Sequence, residues 1–211
     1  MKRGISTNHN VGGQAACLKQ SGIDFVFRYY SLTTVQPEKR LTKAEADLLS
    51  AAGLELGVVY EDGPTAAAYF SNARGYQDGQ NAFHYASILQ QPTGSAIYFA
   101  VDYDAPAGDI AGVITGYFQA VVNGMTDASG GNPSYAIGVY GSGSVCGAVK
   151  ANVSGVAFAW LAESTGWSGS ASYNTWDVKQ AIATGPLCSL AVQAYEDCQA
   201  QDEFGGFQTA E

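Results

Sequence analysis

Charged residues are scarce in this sequence, and basic residues are the scarcest. Asp, Glu, Lys and Arg make up 14% of the 211 residues, against roughly 25% in ordinary globular proteins. Ten residues are Lys or Arg, without a cluster among them, and the formal net charge is −9. The apolar share of 46% is normal, which excludes disorder caused by excess charge. The lack of a basic patch argues against nucleic acids and anionic membranes as partners.

Long hydrophobic runs are also missing. The longest, Ser95–Val101 and Gly155–Ala162, are far shorter than the roughly 20 residues of a membrane helix, so we expect no membrane insertion. The segment Met1–Asn8 becomes polar before the apolar core of a signal peptide could form. No signal peptide is therefore visible in this chain, and export would depend on a leader that has been removed or on another route.

The spacings of cysteine and histidine that bind metals are absent. The two histidines, His9 and His84, are not spaced as metal ligands, and we expect neither a metal nor a cofactor. The four cysteines lack C-x-x-C spacing, which excludes zinc ribbons and thioredoxin-like sites. A strand over 189–195 would hold Cys188 and Cys198 too far apart to bond with each other. Buried free thiols and other pairings both stay open.

The sequence does contain a regular alternation of Val-, Ile-, Phe- and Tyr-rich runs with helix-like stretches. The alternation predicts five strands, each followed by a helix, and then three closely spaced strands. The predicted strands span 3–7, 23–30, 54–60, 95–103, 135–140, 155–162, 175–182 and 189–195. Repeated β-to-α steps imply a parallel sheet, and eight strands suffice to close a TIM-like α/β barrel with a reduced helix set. We expect a single domain over 1–211, with an open doubly wound sheet as the alternative.

The predicted strands end in acidic residues, and a barrel of this kind performs its chemistry at the carboxyl ends of its strands. Glu61 follows the third strand, and Asp102 and Asp104 end the fourth. Because side chains alternate along a strand, the two aspartates share a face, and Glu61 matches them if Val59 faces inward. Burial and mutual repulsion would raise the pKa of one carboxyl, giving one proton donor and one anion. Glycosidic bond cleavage needs that combination.

Further candidates for sugar binding lie on or near the strand ends. We predict that Arg28 faces inward and pairs with Asp102 or Glu61, which leaves Asp104 to hold the proton. The same three acids could alternatively hold a hard cation such as Ca²⁺. The aromatic candidates are equally good core material. The remaining candidates for contact with sugar are Tyr60, Tyr140, Trp160, Glu163, Trp167 and Gln193.

Six segments spread over nearly the whole chain carry a resemblance to a bacterial family. They are GIST at 4–7, GIDFVFRYY at 22–30, LTKAEA at 41–46, AGL at 52–54, IYFAVDYD at 97–104 and IGVYG at 137–141. Through them the chain resembles the glycoside hydrolase-like domains called the DUF1906 or Rv2525c-like family, which is similar to the glycoside hydrolase family 25 lysozymes. The resemblance implies an eight-stranded barrel with fewer than eight helices. It also implies a carbohydrate substrate, foremost cell-wall peptidoglycan.

The resemblance further implies roles for individual residues. The lysozymes carry D-x-E on the fourth strand with the second acid as proton donor, so Asp104 takes the donor role by position. On the first strand the resemblance leads us to expect an aspartate, and Ser6 stands there instead, with Glu61 as another assisting acid. We therefore expect a monomeric, muramidase-like hydrolase of the cell wall that acts outside the cytoplasm. A barrel that only binds sugar and a metal-dependent hydrolase are the alternatives.

Overall fold

Eight strands close into a barrel in the computed structural model, which describes residues 1–132 and 134–209. The strands follow one another around the barrel in chain order, and β1 to β7 run parallel. The eighth strand is antiparallel to both of its neighbours, β7 and β1. The α/β barrel expected from the sequence is confirmed. The strands are β1 Lys2–Ser6, β2 Phe25–Tyr30, β3 Glu55–Tyr60, β4 Ala96–Ala100, β5 Ala136–Gly141, β6 Val156–Leu161, β7 Val178–Ile182 and β8 Glu196–Ala200.

The helices follow the first five strands, as the alternation predicts. A π-helical turn, Ile110–Ile114, joins α4 to α5 into one continuous helical stretch. Beyond β6, the described connections contain only the short 3₁₀ turns Ser170–Ser172 and Val192–Ala194. In the described parts of the chain, no helix is long and apolar enough to cross a membrane. The helices are α1 Ala15–Gln20, α2 Lys43–Ala51, α3 Asn72–Leu89, α4 Ala107–Asp109, α5 Thr115–Ala128 and α6 Gly143–Asn152.

Aromatic side chains fill the inside of the barrel. Phe25 and Phe27 on β2 point inward, and the Phe27 ring centroid lies 4.2 Å from that of Trp160 on β6. The Phe27 ring also lies directly against Gly57 on β3, where a Cβ atom would overlap with it. Glycine is therefore needed at this position because the large ring occupies the space of a side chain. The aromatic layer forms the floor beneath the barrel mouth.

Arg28 points away from the barrel interior, so the predicted inward orientation is wrong. Since Phe25 and Phe27 face inward, strand alternation sends Arg28 into the layer between β2 and α2. There its Nε donates to Glu45 Oε1 at 2.8 Å, and both side chains have 0% exposure. Arg28 also donates to the carbonyl oxygens of Thr7 and Glu38. The guanidinium is thus buried and paired, as expected, but its partner lies outside the barrel.

Removing Glu45 will destabilise the fold strongly, because Arg28 would be left as a buried charge without its partner. We expect Glu45→Ala to lower the free energy of unfolding by about 3 kcal/mol or more. Lys43→Ala is the matched control: it breaks the exposed Lys43–Asp47 pair on the same helix and should cost about 0.5 kcal/mol. Urea unfolding of both variants measures the difference. Equal losses would contradict the role given to the buried pair.

The last strand lies later in the chain than the sequence predicts. The expected strand 189–195 is mostly loop and 3₁₀ turn, and β8 begins at Glu196. Because β8 runs antiparallel, its first residue lies at the mouth, paired with Ser6 and Ile182 at the carboxyl ends of β1 and β7. The reversal therefore places Glu196 at the barrel mouth, next to the carboxyl ends of the parallel strands.

A disulfide bond links Cys17 on α1 to Cys188 in the loop that leads into β8. The two cysteines are 171 residues apart in sequence. Cys146 and Cys198 are buried free thiols. The sequence left open both disulfide pairing and buried free thiols, and the structure contains one pair of cysteines of each kind. Cys188 and Cys198 are not bonded to each other, which confirms that expectation.

Candidate active site

A cavity of about 250 Å³ opens at the mouth formed by the carboxyl ends of the strands. Carboxylates and aromatic rings supply most of its wall. Six of the ten site residues predicted from the sequence contribute to this lining. They are Glu61, Asp102, Tyr140, Trp160, Glu163 and Trp167, beside Tyr29, Val59, Ser164, Gln180 and Glu196.

Glu61 and Asp102 meet at the cavity because β3 and β4 are neighbours with the inward parity that the sequence predicts. Glu61 forms an ion pair with Lys39, with Oε1 and Nζ 2.6 Å apart. The same ammonium group lies 4.5 Å from the centroid of the Tyr29 ring. Burial raises the pKa of Asp102, and the charge of Glu61 raises it further, whereas Lys39 lowers it. The pair thus combines a carboxyl whose surroundings favour protonation with a carboxylate that has a cationic partner.

Asp104 does not line the cavity, in contrast to the sequence-based expectation that it joins Asp102 there. Its side chain is exposed, and Oδ1 accepts a hydrogen bond from the backbone N–H of Ser168 at 2.8 Å. β4 ends at Ala100, so strict alternation does not extend to residue 104. The hydrogen bond instead holds the β6–β7 loop, on which Trp167 lines the cavity.

Three other predicted site residues lie outside the cavity. Arg28 is bound to Glu45 in the helix layer, as described above. Tyr60 also faces outward: it is buried against Phe99 and is hydrogen-bonded through its hydroxyl to Asp62. Gln193 is exposed on the 3₁₀ turn before β8, because the eighth strand begins after it.

A chain of hydrogen bonds that the sequence analysis missed crosses the cavity floor. Gln180 Nε2 donates to Ser6 Oγ at 3.1 Å, and Ser6 Oγ donates to Glu196 Oε2 at 2.8 Å. The amide oxygen of Gln180 accepts from the Tyr140 hydroxyl at 3.0 Å and from the backbone N–H of Glu163 at 3.3 Å. The last three strands, β6 to β8, and the residues next to them therefore supply polar groups to the site together with β1.

Glu196 brings a carboxylate next to Ser6, the position where the resemblance leads us to expect an aspartate. Burial raises the pKa of Glu196; the hydrogen bond from Ser6 opposes this shift, and the charges of Glu163 and Glu61 add to it. The only sequence signal that could have predicted the position of Glu196 is the alternation by which Glu196, Cys198 and Ala200 face the interior. It is weak because a polar segment of this kind does not stand out as a strand.

Tyr140 lies in the cavity wall together with the four acidic side chains. Burial raises the pKa of its phenol well above the usual value, and the charges of Asp102, Glu61, Glu196 and Glu163 raise it further. These acids therefore act on one another across the cavity. The described residues include no group of three or more His, Cys, Asp or Glu side chains placed to hold a metal ion.

The barrel resembles solved structures of bacterial proteins. It matches the Tat-secreted protein Rv2525c of Mycobacterium tuberculosis with a TM-score of 0.77 and 17% identity over 97% of this chain and 98% of that one. It matches a glycosyl hydrolase 25 of Streptococcus pneumoniae with a TM-score of 0.65 and 11% identity, over 95% and 87% of the two chains. At such identities, the likeness shows the fold.

The modular autolysin LytC of Streptococcus pneumoniae, solved with a synthetic peptidoglycan ligand, shares the barrel with a TM-score of 0.59 and 14% identity. The match covers 93% of this chain and 46% of LytC.

Sequence comparison identifies the family. The chain is 35% identical over 136 residues to the uncharacterized protein YbfG of Bacillus subtilis, which covers 61% of this chain and 18% of YbfG. The chain thus spans less than a fifth of the length of that relative. The model of the family described as Rv2525c-like, glycoside hydrolase-like domain, matches residues 16–206. The chain belongs to this family of Rv2525c-like, glycoside hydrolase-like domains.

Proposed function

We propose that this domain is a glycosidase that cleaves a cell-wall polysaccharide, foremost peptidoglycan, as a muramidase does. The observation that carries the proposal is the pair Asp102 and Glu61 at the mouth of a barrel with a glycoside hydrolase-like fold. Hydrolysis of a glycosidic bond needs a carboxylic acid to protonate the leaving oxygen and a carboxylate to assist the attack. This cavity offers both groups.

Asp102 is the proton donor in this proposal, in place of Asp104. Its raised pKa, caused first by burial and then by Glu61, favours the protonated form that a general acid needs. Glu61 is ion-paired with Lys39 at 2.6 Å and acts as the anion that stabilises positive charge on the sugar ring. Asp104 has a positioning role, because its hydrogen bond to the Ser168 N–H holds the Trp167 loop.

Glu196 acts as the assisting carboxylate that Ser6 cannot supply. The Ser6 hydroxyl donates to Glu196 Oε2, which leaves Oε1 free to activate water or to contact the sugar. The Gln180 amide in turn fixes the Ser6 hydroxyl as a donor to Glu196. In this arrangement a carboxylate from the last strand substitutes for the first-strand acid of the lysozymes that the chain resembles.

The substrate class follows from the cavity walls and the neighbouring folds. Tyr29, Tyr140 and Trp167 offer faces on which sugar rings stack. LytC, which has the same fold, was solved with a peptidoglycan ligand. An exported location is supported by the disulfide, because such bonds persist in oxidising compartments, and by the Tat secretion of Rv2525c. We propose that the domain works outside the cytoplasm as a monomer.

A second candidate function is sugar binding without cleavage. The observation that favours it is the placement of Asp104, the positional counterpart of the lysozyme proton donor, away from the cavity. The aromatic walls would serve a binding domain equally well. In that case Asp102 and Glu61 would only contact sugar hydroxyl groups.

The two candidates differ in whether new reducing ends are formed. Purified peptidoglycan is incubated with the protein, and soluble reducing sugars are measured against a sample without protein. Release of muropeptides with new reducing ends supports the glycosidase. Sedimentation of the protein with peptidoglycan, without any release of reducing ends, supports the binding domain and contradicts the glycosidase.

Lys39 should set the pH at which activity falls, because its charge lowers the pKa of Asp102. A general acid works while it is protonated, so kcat/KM should be retained below the pKa of Asp102 and fall as the pH rises through it. Lys39 lowers that pKa, so Lys39→Met should move the falling limb to higher pH. Lys43→Met, which removes a lysine paired only with exposed Asp47, should leave the limb in place. An unmoved limb in Lys39→Met would contradict Asp102 as the acid.

A further inference from the structure

The cavity contains more negative charge than the protein neutralises. Asp102, Glu61, Glu163 and Glu196 all line it. Glu61 has Lys39 as its partner at 2.6 Å. In residues 1–132 and 134–209, the other three carboxylates have no Lys or Arg within ion-pair distance. Asp102 holds the proton in the proposed function, so the substrate would meet two carboxylates, Glu163 and Glu196, that lack a cationic partner.

The acids in the cavity repel one another. The charge of Glu61 acts on both Asp102 and Glu196, and the charge of Glu163 also acts on Glu196. All of these charges act on the Tyr140 phenol. A positive charge bound between the carboxylates would relieve this repulsion, because opposite charges stabilise the ionised form of each acid.

The shape of the site suits an organic cation rather than a small ion. The carboxylates surround a cavity of about 250 Å³, and the described residues contain no group of three or more acids close enough together to hold a metal ion. Tyr29, Tyr140 and Trp167 lie between the acids in the wall. Aromatic faces bind both sugar rings and ammonium groups. A ring with one ammonium substituent satisfies both features of the wall.

We propose that the sugar unit held in this cavity is an amino sugar with a free ammonium group, a hexosamine that has lost its N-acetyl group. This inference rests on the proposed function and specifies its substrate as a cell-wall glycan with N-deacetylated units. An N-acetyl group replaces the ammonium by a neutral amide, which removes the attraction to Glu163 and Glu196.

The test compares the binding of two soluble oligosaccharides of equal length, the tetramer of glucosamine and the tetramer of N-acetylglucosamine. Titration calorimetry at about pH 6 and low salt should give a dissociation constant about tenfold lower for the glucosamine tetramer, the gain of one charge-assisted hydrogen bond. Glu163→Gln should reduce this preference. Glu203→Gln removes the same charge from the exposed, opposite end of the barrel and should leave the preference unchanged.

Added salt provides a second measurement that needs no variant, since the preference of the wild-type protein should shrink as salt screens the charges. Equal affinities, tighter binding of the N-acetylated tetramer, or no binding of either tetramer would each overturn the inference. A failure of this inference can be distinguished from a failure of the proposed function, because the binding measurement requires no turnover. A preference for glucosamine without cleavage of any glycan would support the inference and contradict the glycosidase. Cleavage of fully N-acetylated peptidoglycan without such a preference would do the reverse.

Discussion

Replacing Asp102 by asparagine will reduce kcat/KM for peptidoglycan hydrolysis by about 10²- to 10⁴-fold, the contribution of a positioned general acid. Asparagine keeps the shape of the side chain but has no acidic proton for the leaving oxygen. Burial and the charge of Glu61 raise the pKa of Asp102, so its surroundings favour the protonated form that can deliver a proton. The release of reducing ends from purified peptidoglycan measures the loss.

Asp104→Asn is the matched control for this experiment. Asp104 lies outside the cavity and holds the Ser168 N–H, a bond that an asparagine oxygen can also accept. We therefore expect Asp104→Asn to retain most of kcat, with a modest increase in KM if the Trp167 loop loosens. Loss of activity in Asp104→Asn together with normal activity in Asp102→Asn would return the donor role to Asp104.

The Asp102→Asn protein should also be folded and slightly more stable than the wild type. Because the pKa of Asp102 is raised in the folded state, ionisation of this side chain costs more in the folded than in the unfolded protein, and the wild type loses stability as the pH rises through the folded-state pKa. Asparagine removes this cost, and we expect a gain of roughly 0.5 to 1 kcal/mol. Thermal unfolding of the variant therefore separates loss of chemistry from loss of fold.

Removal of the Cys17–Cys188 disulfide will lower the free energy of unfolding by about 5 kcal/mol in the chain-entropy model of a cross-link that closes a loop of this length. The bond joins residues 171 positions apart, so the unfolded chain gains a large amount of freedom without it. It also fastens to α1 the loop that delivers Glu196 to the cavity. The double variant Cys17→Ser, Cys188→Ser, unfolded in urea, measures the effect.

Reduction of the wild-type protein provides the control for this change. Dithiothreitol should destabilise the wild type to the level of the double variant and should leave the double variant unchanged. Its remaining cysteines, Cys146 and Cys198, are buried free thiols. A loss below about 1 kcal/mol in the double variant would show that the tether contributes little.

Two acids at the cavity, Glu61 and Asp102, could be predicted because each comes after a strand with a clear apolar signal, whereas Glu196 begins a polar strand and was missed. Ala96–Ala100 is buried throughout, and Glu55–Tyr60 nearly so, and both are parallel neighbours, so their carboxyl ends must meet. Glu61 directly follows β3, and Asp102 lies two residues beyond the end of β4. Asp104 lies two residues farther from the strand, where the backbone no longer alternates, and its position could not be obtained from parity.

The orientation of β2 could not be predicted because both of its faces are apolar. In Phe25–Tyr30 nearly every residue is buried, with Phe25, Phe27 and Tyr29 on one face and Val26, Arg28 and Tyr30 on the other. Periodicity cannot distinguish two buried faces. The charge of Arg28 suggested the polar mouth, but a buried partner on α2 satisfied it equally well. In the structure, Gly57 accommodates the Phe27 ring and Gly4 accommodates the Phe25 ring, as expected if the aromatic face is the inner one.

The helix α3 contains two glycines, which disfavour a helix by their local propensity. Gly75 and Gly79 lie against backbone atoms of Tyr117 and Val121 on α5, where a Cβ atom would overlap with the carbonyl groups. The gain in close packing outweighs the roughly 1 kcal/mol that each glycine costs in a helix. A local propensity cannot reveal this contact, since it depends on a helix some 40 residues away.

The reversed last strand determines how this domain can be joined to others. β1 begins and β8 ends at the same end of the barrel, where the amino group of Met1 bonds to Asp202. Phe207 then pairs with Leu56 near the start of β3, so this end of the chain also stays opposite the mouth. A linker, tag or solid support attached to either terminus would leave the cavity facing outward. The domain can thus be mounted from either end with its mouth toward an insoluble polymer.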